Sequence, residues 1–475
     1  MPSHAVAERP HPMRSLSILS LAALAFSLAQ TVLIPALAVL VGELHTTTTG
    51  VTWTLSGYLL TAAVATPLIG RLGDMFGKRR MLVVSLVVFG AGSVVAALAN
   101  SIGVVIAGRA VMGVGGGIFP LCFGIIRDEF PRERVSVSIG LISAIFGIGG
   151  GAGLVVGGLL LDHASYHWIF WLGAAMAVVA AVAAELYVPE SPVRTPGRVD
   201  VPGAILLGVG IVLPLLAISN ANHWGWGSAR TVGLICAGAL VLVAWVAVEL
   251  RSRAPLANVR SLASPVVATT NVATMLVGFG MFGSFILTPN LLESAAGYGF
   301  GYSATAAGLV ILPGALAMIV GGPASGLVSR RFGPKVSLAL GAFVAAAGLA
   351  LLAVSHGTVL GLLVFNLVLS VGIAFAFAAM PTLIMEAVPA HETGEATGFN
   401  TLMRSVGAAL GSQVTAALLA AETIGRTAVP AEHAYTTAFM VCAAVALVAA
   451  LVAAAIPTRG RGQEAVGAVA LDVAA

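Results

Sequence analysis

The sequence predicts an all-α polytopic membrane protein: two six-helix bundles in pseudo-twofold arrangement, with two extra central helices between them. Three observations carry this. Hydrophobic residues make up 59% of the 475 residues and charged residues only 9%, with a mean hydropathy of +1.02, whereas soluble domains carry about 25% charged residues. Apolar runs long enough to cross about 30 Å of hydrocarbon, at roughly 20 residues each, recur fourteen times. A glycine-rich, basic turn at 70–80 returns in degenerate form at 326–335, where Arg330 stands in place of the acid.

The first run, 16–41, follows Arg9 and Arg14 and is too long for the apolar core of a cleaved leader, so it reads as a span. Runs at 51–69 and 81–99 flank the 70–80 turn, and runs at 103–126, 136–161 and 168–188 complete a first bundle over 16–188. The extra pair, 201–218 and 231–249, lies in a linker over 189–265. Runs at 266–292, 304–328, 336–354, 358–382, 396–420 and 436–456 make a second bundle over 266–456, with a segment 1–15 before and a tail 457–475 after. Only helices satisfy every backbone group in lipid over such lengths; barrel strands are shorter and alternate polar with apolar.

Basic residues set the orientation. Every Lys and Arg except Arg109, Arg230, Arg404 and Arg426 falls in segments on the same side as the N-terminus, which the positive-inside rule assigns to the cytoplasm. Both termini are then cytoplasmic, and the basic loops, with a pI near 9.2, face anionic lipid rather than nucleic acid.

The turn Gly70-Arg71-Leu72-Gly73-Asp74-Met75-Phe76-Gly77-Lys78-Arg79-Arg80 holds glycines, one acid and a basic cluster between two long apolar runs. Its charges require water on one side, and its glycines allow close backbone approach. It resembles the signature loop between the second and third spans of the major facilitator superfamily. Trp53, Gly57-Tyr58-Leu59-Leu60 and Pro67-Leu68-Ile69-Gly70 resemble the second span of the fourteen-span drug:proton antiporter branch, and Arg109-Ala110-Val111-Met112-Gly113 its fourth-span motif. Gly149, Gly153, Gly157 and Gly158 resemble the helix-packing antiporter motif ending G-P-x-x-G-G, with Leu154 at the proline position. The resemblance implies a secondary active transporter of the plasma membrane, exchanging protons for small hydrophobic or amphiphilic compounds such as drugs or antibiotics by alternating access. Import or facilitated passage of a specific metabolite is the alternative.

Within that frame Gly70, Asp74, Gly77, Lys78, Arg79 and Arg80 are gating residues: Asp74 can pair with Lys78, Arg79 or Arg80, or accept hydrogen bonds from a helix N-terminus. Arg109 lies within a span, where an arginine costs about 2.5–3.5 kcal/mol on insertion scales and usually faces a watered cavity or a partner. Two readings stand for it: a fixed charge in proton coupling, or a packing residue bonded to carbonyls. The first-span position where the branch often carries an aspartate is Ala29, so the proton carrier must lie elsewhere. Glu293 is the candidate, against the plainer reading of a solvated carboxylate at a helix end. Gln30, Thr31, Trp53, Tyr58, Asn271, Asn400 and Arg404 are candidates for a cavity whose scarcity of polar groups favours an amphiphilic solute over a sugar or phosphate.

Other chemistries fall away. Lys78 and Lys335 fit no G-x-x-x-x-G-K-[ST] loop. Cys122, Cys236 and Cys442 are isolated within spans, which indicates neither metal nor disulfide. No acid, His or Cys constellation gathers at one depth, so an enzyme is not expected. The expected partners are a small-molecule substrate, protons and membrane lipid, with no cofactor and a monomeric chain.

Overall fold

The structure, a computed structural model, describes residues 12–194, 200–252, 257–294, 299–424 and 429–457. The segments 1–11 and 458–475, and with them Arg9, Arg459 and Arg461, lie outside the described residues, as do Arg198, Arg253, Gly297, Tyr298 and Arg426. Among the described residues fourteen helices are long and apolar enough to cross a membrane, and no strand occurs.

The first bundle comprises α1 (Pro12–Thr31), α2 (Thr48–Phe76), α3 (Lys78–Ala97), α4 (Ile102–Glu129), α5 (Arg132–His163) and α6 (His167–Tyr187). The extra pair is α7 (Val201–Trp224) and α8 (Ala229–Glu249). The second bundle comprises α9 (Pro265–Glu293), α10 (Ala304–Phe332), α11 (Pro334–Val354), α12 (Val359–Ala387), α13 (Thr393–Ala421) and α14 (Glu432–Ala455).

The apolar run 16–41 is not one helix. Pro35 has no N–H to continue the ladder; the Ile34 amide donates instead to the Thr31 carbonyl at 3.0 Å, and a short helix, Leu37–Glu43, follows the turn. In α4 a 3-10 segment over Gly113–Gly117 interrupts the helix. A β-carbon on Gly113 or Gly116 would collide with the backbone of α2 at Tyr58 or Ala62, so the glycine run lets these helices touch. The two halves end their second helix with one device: Gly77 at φ +109° stops α2, and Gly333 at φ +91° stops α10. That left-handed conformation favours glycine.

Packing follows the same division. In the first bundle α1 lies on α5 and α6, and α3 on α4 and α6; in the second, α9 lies on α13 and α14, and α11 on α12 and α14. The bundles meet along α5 with α10 and α2 with α13. The extra pair packs on itself, and α7 leans on both α2 and α13 through a cluster of Leu207, Ile211 and Leu215 with Ala63 and Leu402. At the inter-bundle crossings glycine meets glycine: Gly140 of α5 faces Gly322 of α10, and Gly70 of α2 faces Gly394 of α13, each leaving no room for a β-carbon.

A Gly140→Leu substitution should therefore overpack the α5–α10 crossing. The expected loss is on the order of 1–3 kcal/mol, read as a lower thermal unfolding midpoint of the detergent-purified protein, with Gly140→Ala falling between it and the parent.

Candidate functional site

At one end of the molecule the bundles are held together by buried charge. Asp74, at the last turn of α2, is fully buried. Its Oδ1 accepts the Gly394 amide at 3.2 Å and its Oδ2 the Glu395 amide at 3.1 Å. These are N–H groups of the first turn of α13, which have no partner inside their own helix and lie at the positive end of its dipole. Lys78, equally buried, places Nζ 3.4 Å from Asp74 Oδ1 and 2.6 Å from Asp128 Oδ2. Ser191 in turn donates to Asp128 at 2.5 Å. The carboxylate thus has a cation behind it and a helix N-terminus of the other bundle in front.

Arg127 of α4 adds a second clamp. It donates to the carbonyls of Val388 at 3.0 Å and Pro389 at 3.5 Å and to the Thr393 hydroxyl. Arg71 approaches Glu395 at 3.8 Å. The linker after α8 joins the cluster as well, since the Asn258 amide donates to Glu395 at 2.5 Å and its side chain to Glu392 at 2.8 Å. Arg79 and Arg80 do not pair with Asp74. Their backbone amides donate to Glu190, each at 3.1 Å, and the Arg79 side chain lies 3.6 Å from Glu185 and 3.8 Å from Glu190. They hold the start of α3 to the segment after α6, because Gly77 turns the chain so that the first amides of α3 face Glu190.

The second half carries no equivalent carboxylate. Arg330 stands there and donates to the Glu133 carbonyl at 3.3 Å, a guanidinium on a carbonyl at the start of α5.

Away from the latch, two adjoining cavities lie between the bundles and share Gln30, Leu55, Leu59, Phe146, Phe282 and Ser412. The cavity nearer the latch, about 240 Å³, is walled also by Ser56, Thr66, Thr401, Arg404, Ser405 and Gln413, and by Leu215 and Ser219 of α7. The farther one, about 420 Å³, carries Thr31, Tyr58, Arg109, Asn290, Glu293 and Asn366. Arg109 is held by three contacts from α1 and α2: Nε donates to the Thr54 carbonyl at 3.2 Å, Nη1 to the Ala29 carbonyl at 2.8 Å, and Cζ stands 4.2 Å from the Tyr58 ring centroid. Among the described residues its Nη2 has no hydrogen-bond partner. Tyr58 is fixed by its hydroxyl, which donates to the Phe26 carbonyl at 3.1 Å. Arg404 lies against aromatic faces, 4.3 Å from the Phe146 centroid and 4.9 Å from that of Phe377.

The residues marked in the sequence therefore divide. Gln30, Thr31, Tyr58, Arg109, Glu293 and Arg404 share the cavity walls. Trp53, Asn271 and Asn400 do not: Trp53 is half-buried elsewhere on α2, and the Asn400 amide is used up inside the second bundle, donating to Asn271 at 2.9 Å and Thr274 at 2.8 Å. Gly149, Gly153 and Gly157 abut α1 at Leu28 and Val32, while Gly158 faces Thr305 of α10. Among the described residues no group of three or more His, Cys, Asp or Glu could hold a metal ion.

Sequence reasoning missed Arg127, Asp128, Glu190, Asn258 and Glu395 as members of the latch. A signal existed for Arg127, Asp128 and Glu395. Arg127-Asp128-Glu129 closes a span with charge, and Thr393-Gly394-Glu395 opens one with small residues whose amides need an outside acceptor.

A sequence model of the Major Facilitator Superfamily matches residues 19–412. The tetracenomycin C resistance and export protein of Streptomyces glaucescens is 30% identical over 383 residues, covering 80% of this chain and 70% of that protein. Multidrug resistance protein 3 of Bacillus subtilis is 27% identical, covering 76% of this chain and 70% of its own length. In fold, the chain resembles the crystal structure of the human organic anion transporter MFSD10, with a TM-score of 0.66 at 14% identity, over 94% of this chain and 100% of that one.

An Asp74→Asn variant keeps the shape but loses the charge, and while its carbonyl oxygen still accepts one of the two amides, its NH2 group cannot accept the other. Losing charge-assisted bonds worth about 1.5–3 kcal/mol each should speed hydrogen exchange of a 393–397 peptide at least tenfold, measured by mass spectrometry. Unchanged protection would remove Asp74 from the latch.

Proposed function

We propose that this chain, which belongs to the major facilitator superfamily, exports small hydrophobic or amphiphilic compounds, drugs and antibiotics among them, in exchange for protons. The observation that carries the reading is a largely apolar cavity between two bundles, closed at one end by the Asp74 latch. A solute held there reaches the other face only if the latch end opens and the far end closes, which is alternating access. The names of the relatives from Streptomyces and Bacillus support export and resistance as the direction and purpose. With the basic loops on the cytoplasmic side, the latch faces the cytoplasm and the described conformation faces outward, the state that releases solute and admits protons.

Within this reading each group has a task. Asp74 and Arg127 must release the first turn of α13 and the 388–389 carbonyls for the inward state to form. Glycine pairs at the α5–α10 and α2–α13 crossings let the bundles rock without side chains in the way. Among the described residues Glu293 is the one carboxylate on the walls of either cavity, and we assign it the proton. Arg109, spent on the Ala29 and Thr54 carbonyls, fixes the break of α1 against α2 and keeps a positive charge in the same cavity.

Drug-sensitised cells expressing the chain should accumulate less dye or antibiotic, and collapse of the proton gradient should abolish the difference. Faster uptake of one nutrient with no effect on dyes would replace export by import. In proteoliposomes with an imposed pH difference, Glu293→Gln should cut gradient-driven flux at least tenfold; intact flux would take the proton away from Glu293.

A further inference from the structure

We propose that Arg404 selects substrates bearing an acidic group, a carboxylate or ionised phenol, on an aromatic or apolar body; this rests on the export reading above and names the class of compound. The guanidinium stands on the wall of the cavity nearer the latch, of about 240 Å³. Its Cζ lies over two ring faces, Phe146 of α5 and Phe377 of α12. No hydrogen bond or ion pair reaches it among the described residues, and no Asp or Glu lines that cavity. A mid-membrane arginine ordinarily pairs with an acid or with carbonyls, as Arg109 does with Thr54 and Ala29.

Aromatic faces offset part of the cost of the charge, but give its five N–H groups no oxygen. That fork matches a carboxylate, which takes it with two parallel bonds where geometry allows, and a phenolate accepts from it through its single oxygen. Gln30, Ser405, Ser412 and Gln413 on the same wall supply further polar contacts, and Phe146 and Phe282 an apolar surface for the body of the compound. A cationic solute finds the opposite arrangement: like charge, with no acid on that wall to offset it. Because Phe146 belongs to the first bundle while Arg404 and Phe377 belong to the second, an anion drawn to Arg404 competes for a contact between the bundles. Occupancy and bundle position are thereby linked.

The test uses three probes with one aromatic body: 9-anthracenecarboxylate, its methyl ester and 9-anthracenemethylamine. Binding to the detergent-purified full chain is measured by calorimetry, and flux in proteoliposomes under an imposed pH difference. The carboxylate should bind at least tenfold more tightly than the ester or the amine. Arg404→Gln should erase at least tenfold of that preference, while Arg404→Lys, retaining the charge, should keep most of it. Monodisperse elution and an unchanged unfolding midpoint establish that both variants are folded. Equal binding of the three probes, or a carboxylate preference that survives Arg404→Gln, would overturn the inference while leaving export standing if flux persists. Arg404-dependent carboxylate binding without flux of any probe would uphold the anion site and overturn export instead.

Discussion

A buried carboxylate facing the N-terminus of a helix in the opposite bundle is the constraint around which the rest of this molecule is arranged. Asp74 cannot be buried alone, since an uncompensated charge out of water costs several kcal/mol. Lys78 and two α13 amides compensate it, and Asp128 with Ser191 compensate Lys78 in turn. The backbone must also come close enough for those amides to be reached. Gly70 and Gly394 permit this, because either β-carbon would strike the facing chain. Charge and glycine in the 70–80 turn are therefore two halves of one requirement: the glycines set the distance over which the carboxylate works. Such a contact is strong when formed yet made wholly of hydrogen bonds and ion pairs, which water replaces when the bundles part. That suits a closure that, on the export reading proposed above, opens in every cycle.

The two halves share architecture but not chemistry. Gly77 and Gly333 end their helices alike with positive φ, and α2 meets α13 as α10 meets α5. Where the first half has Asp74 on amides, the second has Arg330 on the Glu133 carbonyl. A carboxylate on a helix N-terminus gains from the dipole, whereas a cation near the start of α5 opposes it. The charged contact of the closed end thus lies along α2–α13, whereas along α5–α10 Gly140, Gly322 and Gly326 bring backbones together.

Hydrophobic length and positive charge, read along the chain, were sufficient for the fourteen spans and their grouping, because lipid leaves the backbone no choice but helix. They were insufficient wherever a helix is broken from within: the Pro35 turn in 16–41 and the Gly113–Gly117 segment in α4 sit inside unbroken apolar runs, so hydropathy has no mark for them. The site divides on the same principle. Asp74, Lys78, Arg109 and Arg404 were legible because a charge in an apolar setting is costly and demands a reason. Asn400 and Asn271 are polar in the same setting, but satisfy each other and Thr274, which a linear sequence cannot distinguish from polar groups turned toward a cavity. For Asp74 the kinds of partner, Lys78 and a helix N-terminus, were legible, but not which N-terminus, because its donors are main-chain amides that every residue except proline has.

The extra pair of helices, unassigned by sequence, connects the two functional regions. Leu215 and Ser219 of α7 complete the wall of the cavity nearer the latch, and Asn222 donates to the Gln413 side chain at 3.0 Å. At the other end of the pair, Glu249 of α8 accepts the Ala257 amide at 3.4 Å, which orients the following Asn258 onto Glu392 and Glu395. Glu395 is the residue whose own amide binds Asp74. A shift of α7 against α2 and α13 when the cavity fills would therefore pull on the linker that steadies the first turn of α13. Within the two bundles α2, α4 and α13 each run from the cavity wall to the latch. The pair adds a further path and packs along the α2–α13 seam.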